Sequence, residues 1–288
     1  MTSYPPSALE PTWTGLVDDA AIFPPGNAPI HDATAAYAAR AGEWYAGFVG
    51  SFVLKDTDLP LVRGFEGPLA VVVTGGAGQV SGPLAAAARL GLGVAGLEIA
   101  LRDPDDPAGN ARRVVAALDR ARADGLLEEE TLVHVEMPQG RVTPGWLAAA
   151  DEVAAAELRL KFRTGGVEAH LFPSAAELAS WVDAALDRET PFKCTAGLHG
   201  AVRHRDPATG FDHHGFLNLL VATAAGFDGA SADDVVALLD QQDEAAVLGS
   251  AAETDLGRAR RWFTSFGSCS VTEPLEELVR TGLLEDRA

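Results

Sequence analysis

Lysine is nearly missing from this chain: 19 of its 22 basic residues are arginine, which leaves Lys55, Lys161 and Lys193. A guanidinium keeps its proton, whereas a buried lysine can lose its proton and act as a base or nucleophile. Cysteine is scarcer still. Cys194 and Cys269 stand far apart and outside any metal-binding spacing, so they read as reduced, largely buried thiols. No apolar stretch reaches the roughly 18 residues that a membrane span needs. The start, Met1 to Glu10, has neither the basic nor the apolar region of a signal peptide, which points to a cytoplasmic protein. Positive charge is also in deficit. With 22 basic against 41 acidic residues the net charge is −19, and no basic stripe offsets it, which argues against nucleic acid and membrane surfaces as partners.

What is present is apolar and periodic. Hydrophobic residues make up 47% of the 288, enough to bury a large core without disulfides or metals. Short β-branched runs alternate with Ala- and Leu-rich amphipathic segments, the pattern of parallel strands joined by helices. Eight strands are predicted: Gly15–Ile22, Gly47–Lys55, Leu69–Gly75, Gly96–Leu101, Thr131–Met137, Leu158–Thr164, Pro191–Ala196 and Trp262–Gly267. Helices are expected between them, over Asn110–Asp124, Ser174–Asp187 and Phe216–Ala225 among others. Eight such units in a chain slightly longer than the roughly 250 residues typical of the fold predict an α/β protein, a single (β/α)8 TIM barrel over residues 1–288. An open doubly wound sheet is the alternative, but closure leaves no edges.

Strand parity carries the argument inward. Successive residues of a strand face opposite ways, so Leu158, Leu160 and Phe162 share the face toward the helices while Lys161 and Arg163 share the other. The same alternation turns Lys55, Glu98, His134, Glu136, Lys193 and Thr195 inward. Isolated buried charge is costly, and active sites of this fold lie at the C-terminal mouth, so the cluster reads as ligand chemistry. An internal ion-pair layer that only fills space is the competing reading.

Three strings fall at three consecutive strand ends: Lys161-Phe162-Arg163-Thr164-Gly165-Gly166, Lys193-Cys194-Thr195-Ala196-Gly197 and Phe266-Gly267-Ser268-Cys269-Ser270. Together they resemble the last three strands of the deoxyribose-phosphate aldolases, class I aldolases built on this barrel. The resemblance implies Lys161 as the Schiff-base residue, Lys193 as its activator, and Gly267, Ser268 and Ser270 as part of an anion cradle. It covers about a third of the chain. Arg163 replaces a small hydroxyl residue of that family, a His-rich stretch is inserted after strand seven, and the family's strand-four aspartate has at best Glu98 in its place. The string from Lys193 to Asn218 also resembles bacterial proteins of unassigned function, which implies no activity.

Physical chemistry gives the lysine pair a separate argument. A second ammonium and a guanidinium nearby, with partial burial, disfavour protonation of Lys161 and predict a nucleophilic amine near neutral pH. Glu136 or Glu98 would then move protons. If those carboxylates neutralise both lysines instead, the site becomes a static ion-pair network.

Four of the seven histidines lie between His199 and His214, in an extended loop over about 197–215. A polar loop with helix-capping histidines is one reading. In another, His199 is a proton shuttle, and Arg203 with His204 or His214 engages an anionic substrate. A third has His199, His204 and His214 binding zinc or iron with a glutamate, although the spacing matches no specific metal motif. Asp19, of the pair Asp18-Asp19, is a candidate at the mouth, and Gly165-Gly166 could offer backbone N–H groups to an anion or merely turn the chain.

The leading expectation is therefore a Schiff-base lyase acting on a small anionic carbonyl compound, with no cofactor. A metal-dependent lyase, isomerase or hydrolase built on the histidine loop and a non-catalytic anion-binding barrel are the alternatives. An outer helical face could support a homo-oligomer.

Overall fold

The computed structural model describes residues 9–287; the chain's start, read above as lacking a signal peptide, lies outside them as far as residue 8. Eight parallel strands close into a barrel: β1 (Val17–Asp19), β2 (Val49–Lys55), β3 (Leu69–Val72), β4 (Val94–Ala100), β5 (Leu132–Glu136), β6 (Arg159–Arg163), β7 (Phe192–Thr195) and β10 (Phe263–Ser268). The last is paired to both β7 and β1, which completes the ring. Two short antiparallel strands, β8 (His204–Arg205) and β9 (Asp212–His213), form a hairpin within the loop that follows β7.

Around the ring lie α1 (Ile30–Ala39), α2 (Ser81–Leu90), α3 (Pro107–Ala123), α4 (Pro144–Ala155), α5 (Ala175–Asp187), α6 (Phe216–Phe227), α7 (Ala232–Asp240), α8 (Glu244–Glu253), α9 (Leu256–Ala259) and α10 (Thr272–Arg280). Six of them, α3, α4, α5, α7, α8 and α9, start on a side-chain cap. Ser174 and Glu177 form a reciprocal capping box on α5, and Asp106 and Thr143 cap α3 and α4 ahead of a proline at the first position.

All eight predicted strands exist, but most are shorter than their apolar runs. The first shrinks most, from Gly15–Ile22 to Val17–Asp19, because the chain turns after Ala20: the Phe23 N–H bonds the Ala20 carbonyl. The alternation sorts side chains as expected. Phe52, Leu54, Leu97, Ile99, Val133, Val135, Leu160, Phe162 and Phe192 are buried in the layer between strands and helices. Phe162 meets the rings of Trp146, Trp181 and Phe192 at centroid distances of 6.3, 5.7 and 5.1 Å. Burying such a ring contributes about 2–3 kcal/mol. By fixing the facing of β6, it also drives Lys161 and Arg163 into the interior.

The interior has two halves. Toward β2 and β3 it is apolar, with Val53 and Ala70 packed with Ala20, Val72 and Phe23. Toward β4–β7 and β1 it is charged.

Candidate active site

A single run of alternating charge crosses the barrel interior. At the mouth, Arg163 Nε lies 3.0 Å from Glu136 Oε1, and Glu136 Oε2 lies 2.8 Å from Lys161 Nζ. Lys161 Nζ also donates to Glu98 Oε2 at 2.6 Å, and Lys193 Nζ donates to Glu98 Oε1 at 2.7 Å. Lys193 then reaches Asp18 Oδ2 at 2.6 Å. Asp18 is held in turn by Ser51, through N–H at 2.8 Å and Oγ at 2.7 Å, and by Ser265 Oγ at 2.8 Å. Gly50 makes room for this, since a Cβ there would lie 2.6 Å from Asp18 Oδ1.

The run contains three cations and three carboxylates. Arg163, at 34% exposure, and Glu136, at 15%, meet solvent at the mouth, while the Lys161 and Lys193 side chains are 3% and 2% exposed. Burial alone would lower both lysines, but the carboxylates overcome it: Glu136 and Glu98 raise Lys161 above its ordinary value, and Asp18 and Glu98 raise Lys193. Conversely, burial opposes the charge on Glu98, and the two ammoniums hold its carboxyl far below the usual range. The expectation of a neutral Lys161 at rest is thus corrected. Its nearest neighbours are carboxylates, and the ammonium and guanidinium of Lys193 and Arg163 each lie one carboxylate away.

Beneath the run the barrel is hollow. A cavity of about 340 Å³ opens at the N-terminal ends of the strands, lined by small residues such as Gly15, Gly50, Ala70 and Gly96 and by Asp18, Ser51, His134, Arg159, Lys193 and Ser265. His134 is buried there with no partner for Nε2. Burial, then the Lys193 charge, hold the imidazole neutral with a pKa of about 3. Lys193 therefore lies deeper than the mouth.

Of the residues predicted from sequence, the structure brings together Lys161, Lys193, Glu98, Glu136 and Arg163. Thr195, beside Arg163 and Gly267 in the register, lies at the strand ends above Lys193. Lys55 stands at the end of β2, exposed, its ammonium 5.7 Å from the centre of the Phe23 ring. Asp19 is a correction: its carboxylate pairs with Arg40 and accepts from the Ala21 N–H, and its neighbour Asp18 enters the interior.

The glycine pair answers to packing. A Cβ on Gly165 would come 2.8 Å from Gly197 Cα, and one on Gly166 would come 2.3 Å from Leu171 Cδ1. In the last turn, Ser268 Oγ accepts from the Ser270 N–H, and Ser270 Oγ accepts from the Glu273 N–H, so both hydroxyls serve their own backbone.

Nor do the loop histidines converge. His204 stacks on His213 across the hairpin at 5.4 Å, and His214 is buried between Arg203 and the Pro173 carbonyl. Burial, then Arg203, hold His214 neutral with a pKa of about 4. Arg203 turns to Asp240 at 3.0 Å, and His199 binds Glu273. Among the described residues no group of three or more histidine, cysteine, aspartate or glutamate side chains is placed to hold a metal. No helix among them is long and apolar enough to cross a membrane.

Asp18, Ser51 and Ser265 were not chosen from the sequence as site residues. Ser51 shares the parity of Lys55, a signal that was there to be read.

In fold the chain matches the deoxyribose phosphate aldolase of Aeropyrum pernix, described as having a unique tetrameric structure. The TM-score is 0.53, with 13% sequence identity over 96% of this chain and 94% of that one. At this identity the likeness is one of fold. No protein-family model and no curated protein matches the chain.

Proposed function

We propose that this protein is a Schiff-base-forming lyase of the class I aldolase kind, acting on a small anionic carbonyl compound with Lys161 as nucleophile. The observation that carries the reading is the seat of Lys161 Nζ between Glu98 at 2.6 Å and Glu136 at 2.8 Å, with Glu98 shared by a second lysine. An ammonium in that seat can hand its proton to a carboxylate without a diffusing base.

Glu136 is the better acceptor, because its second oxygen is held by Arg163 and Arg163 is half-open to solvent. When an anionic substrate draws the guanidinium to itself, Glu136 loses a counter-charge and becomes more basic. It then takes the proton from Lys161. The free amine adds to the carbonyl carbon, and loss of water gives an iminium whose positive charge remains beside Glu98. Glu136 gives its proton to the departing water and then takes the hydroxyl proton of the carbon that leaves as a carbonyl; the electron pair of the broken C–C bond passes into the iminium, the resulting enamine takes that proton back from Glu136, and water hydrolyses the imine to free Lys161. Lys193, pinned by Asp18, keeps Glu98 ionised throughout. This chemistry calls for no metal and no organic cofactor. A homo-oligomer belongs to the proposal, since the aldolase of like fold is described as tetrameric. A cytoplasmic setting suits the two free thiols.

Borohydride added together with small phosphorylated aldehydes or 2-keto acids should leave a covalent mass increment on Lys161, absent from Lys161→Met. A compound that is turned over without leaving that adduct refutes the imine. The closed charge balance favours one other reading, a non-catalytic barrel that binds a small anion. Full retention of ligand affinity and cellular function in Lys161→Met would select it.

A further inference from the structure

Apart from the lysine run, a second reactive arrangement stands at the rim. Cys269 lies in the turn after β10, His199 in the loop after β7, and Glu273 in the first turn of α10. Cys269 Sγ is 3.7 Å from His199 Nε2, and His199 Nδ1 is 2.6 Å from Glu273 Oε2. The order is nucleophile, base, orienter. A carboxylate on Nδ1 fixes the tautomer that carries its proton there, which leaves the Nε2 lone pair facing the thiol.

The parts are held in place. The Glu273 N–H donates to Ser270 Oγ, so the carboxylate's backbone is fixed to the turn that carries the thiol. Gly26 packs on the other side, where a Cβ would lie 3.0 Å from Cys269 Cβ and 2.8 Å from the Ala21 carbonyl. His199 and Glu273 also form part of the wall of an open groove of about 410 Å³. The other cysteine differs in access: Cys194 is fully buried under the helices, whereas Cys269 is only partly buried.

We propose that Cys269, His199 and Glu273 form a second covalent site, at which the thiol adds reversibly to the carbonyl carbon of small aldehydes. The C–S bond forms as the carbonyl π pair moves onto oxygen. The thiol proton passes to His199 Nε2 and from there to that oxygen, leaving a thiohemiacetal with no change of oxidation state. Burial, with the Glu273 and Asp19 carboxylates, keeps the resting thiol protonated, so the proton must move during attack. Acyl transfer fits the turn less well. The Ser270 and Glu273 N–H groups are already bonded to Ser268 and Ser270 hydroxyls, whereas addition to an aldehyde needs only the imidazolium to protonate the oxygen.

Iodoacetamide labelling followed by peptide mass spectrometry reads the activation. At neutral pH, Cys269 should be labelled about tenfold or more faster in the wild type than in His199→Asn. Glu273→Gln should fall between them, and Cys194 should stay unlabelled. Because the Glu273 side chain is 58% exposed, that variant folds even if His199→Asn does not. The addition itself is read by carbon NMR of ¹³C-labelled acetaldehyde on Lys161→Met protein, which cannot form the imine, so the outcome is independent of the lyase proposal. A thiohemiacetal signal that disappears in Lys161→Met with Cys269→Ser is expected. Equal labelling of wild type and Glu273→Gln, or no signal that depends on Cys269, overturns the assignment.

Discussion

Replacing Glu98 with glutamine takes one negative charge from the centre of a run in which three cations balance three carboxylates. Two charge-assisted contacts, at 2.6 and 2.7 Å, are lost from ammoniums that are almost completely buried. Breaking a buried pair costs about 3–5 kcal/mol. Each lysine keeps a second carboxylate, Glu136 for Lys161 and Asp18 for Lys193, which puts the loss near the lower end, about 3 kcal/mol. In a barrel of this size that corresponds to about 6–12 °C in Tm. Circular dichroism melts at neutral pH measure it, with Glu98→Gln joined to Lys193→Met as the second arm. The pair removes one charge of each sign, so its loss should fall short of the summed single losses by about 1–3 kcal/mol. The single variant should also label with borohydride at lower pH, because one of the two carboxylates that raise Lys161 is gone. A Glu98→Gln protein that melts within about 2 °C of the wild type, or strict additivity in the double variant, refutes the network as described.

Two further outcomes test other parts of the structure. His134 and His214 are held neutral in the fold, with pKa values of about 3 and about 4, against about 6.5 when unfolded, so the unfolded chain binds more protons below that value. Stability should be flat above about pH 6.5 and fall below it, by about 2 kcal/mol for each histidine at about pH 5, and His134→Gln should flatten the profile; urea titrations that show no such decline sink the account. Gly165→Ala would force a methyl to 2.8 Å from Gly197 Cα and 2.9 Å from Phe172 Cε1, which should cost about 1–3 kcal/mol in urea unfolding, and an unchanged midpoint would mean that the backbones do not approach so closely.

The barrel and the facing of its charged residues were legible because alternation is a local property: one buried Phe162 on β6 is enough to decide where Lys161 and Arg163 point. β1 has only three residues, too few for alternation to choose between Asp18 and Asp19 as the carboxylate that faces the interior. Sequence also identified Glu98 and Glu136 as interior without giving their distances to the lysines. Those distances reverse the sign of the lysine shift, from an amine depressed by its cationic neighbours to an ammonium sustained by carboxylates. The histidine loop misled in another way. Crowding in sequence left one shared centre among the readings, but the hairpin sets His204 against His213, and His214 is buried between Arg203 and the Pro173 carbonyl, so proximity along the chain becomes separation in space. Cys269 and His199 are 70 positions apart and Glu273 lies on a different element, so nothing local marked them as a set.

The glycine-lined hollow under Lys193 gives the interior two shores. The charged run ends in solvent at Arg163 on one side and beside an open cavity at Asp18 and Lys193 on the other. Anything seated against Arg163 would cover one end of the run only, and the end at Asp18 and Lys193 keeps its own approach from the cavity.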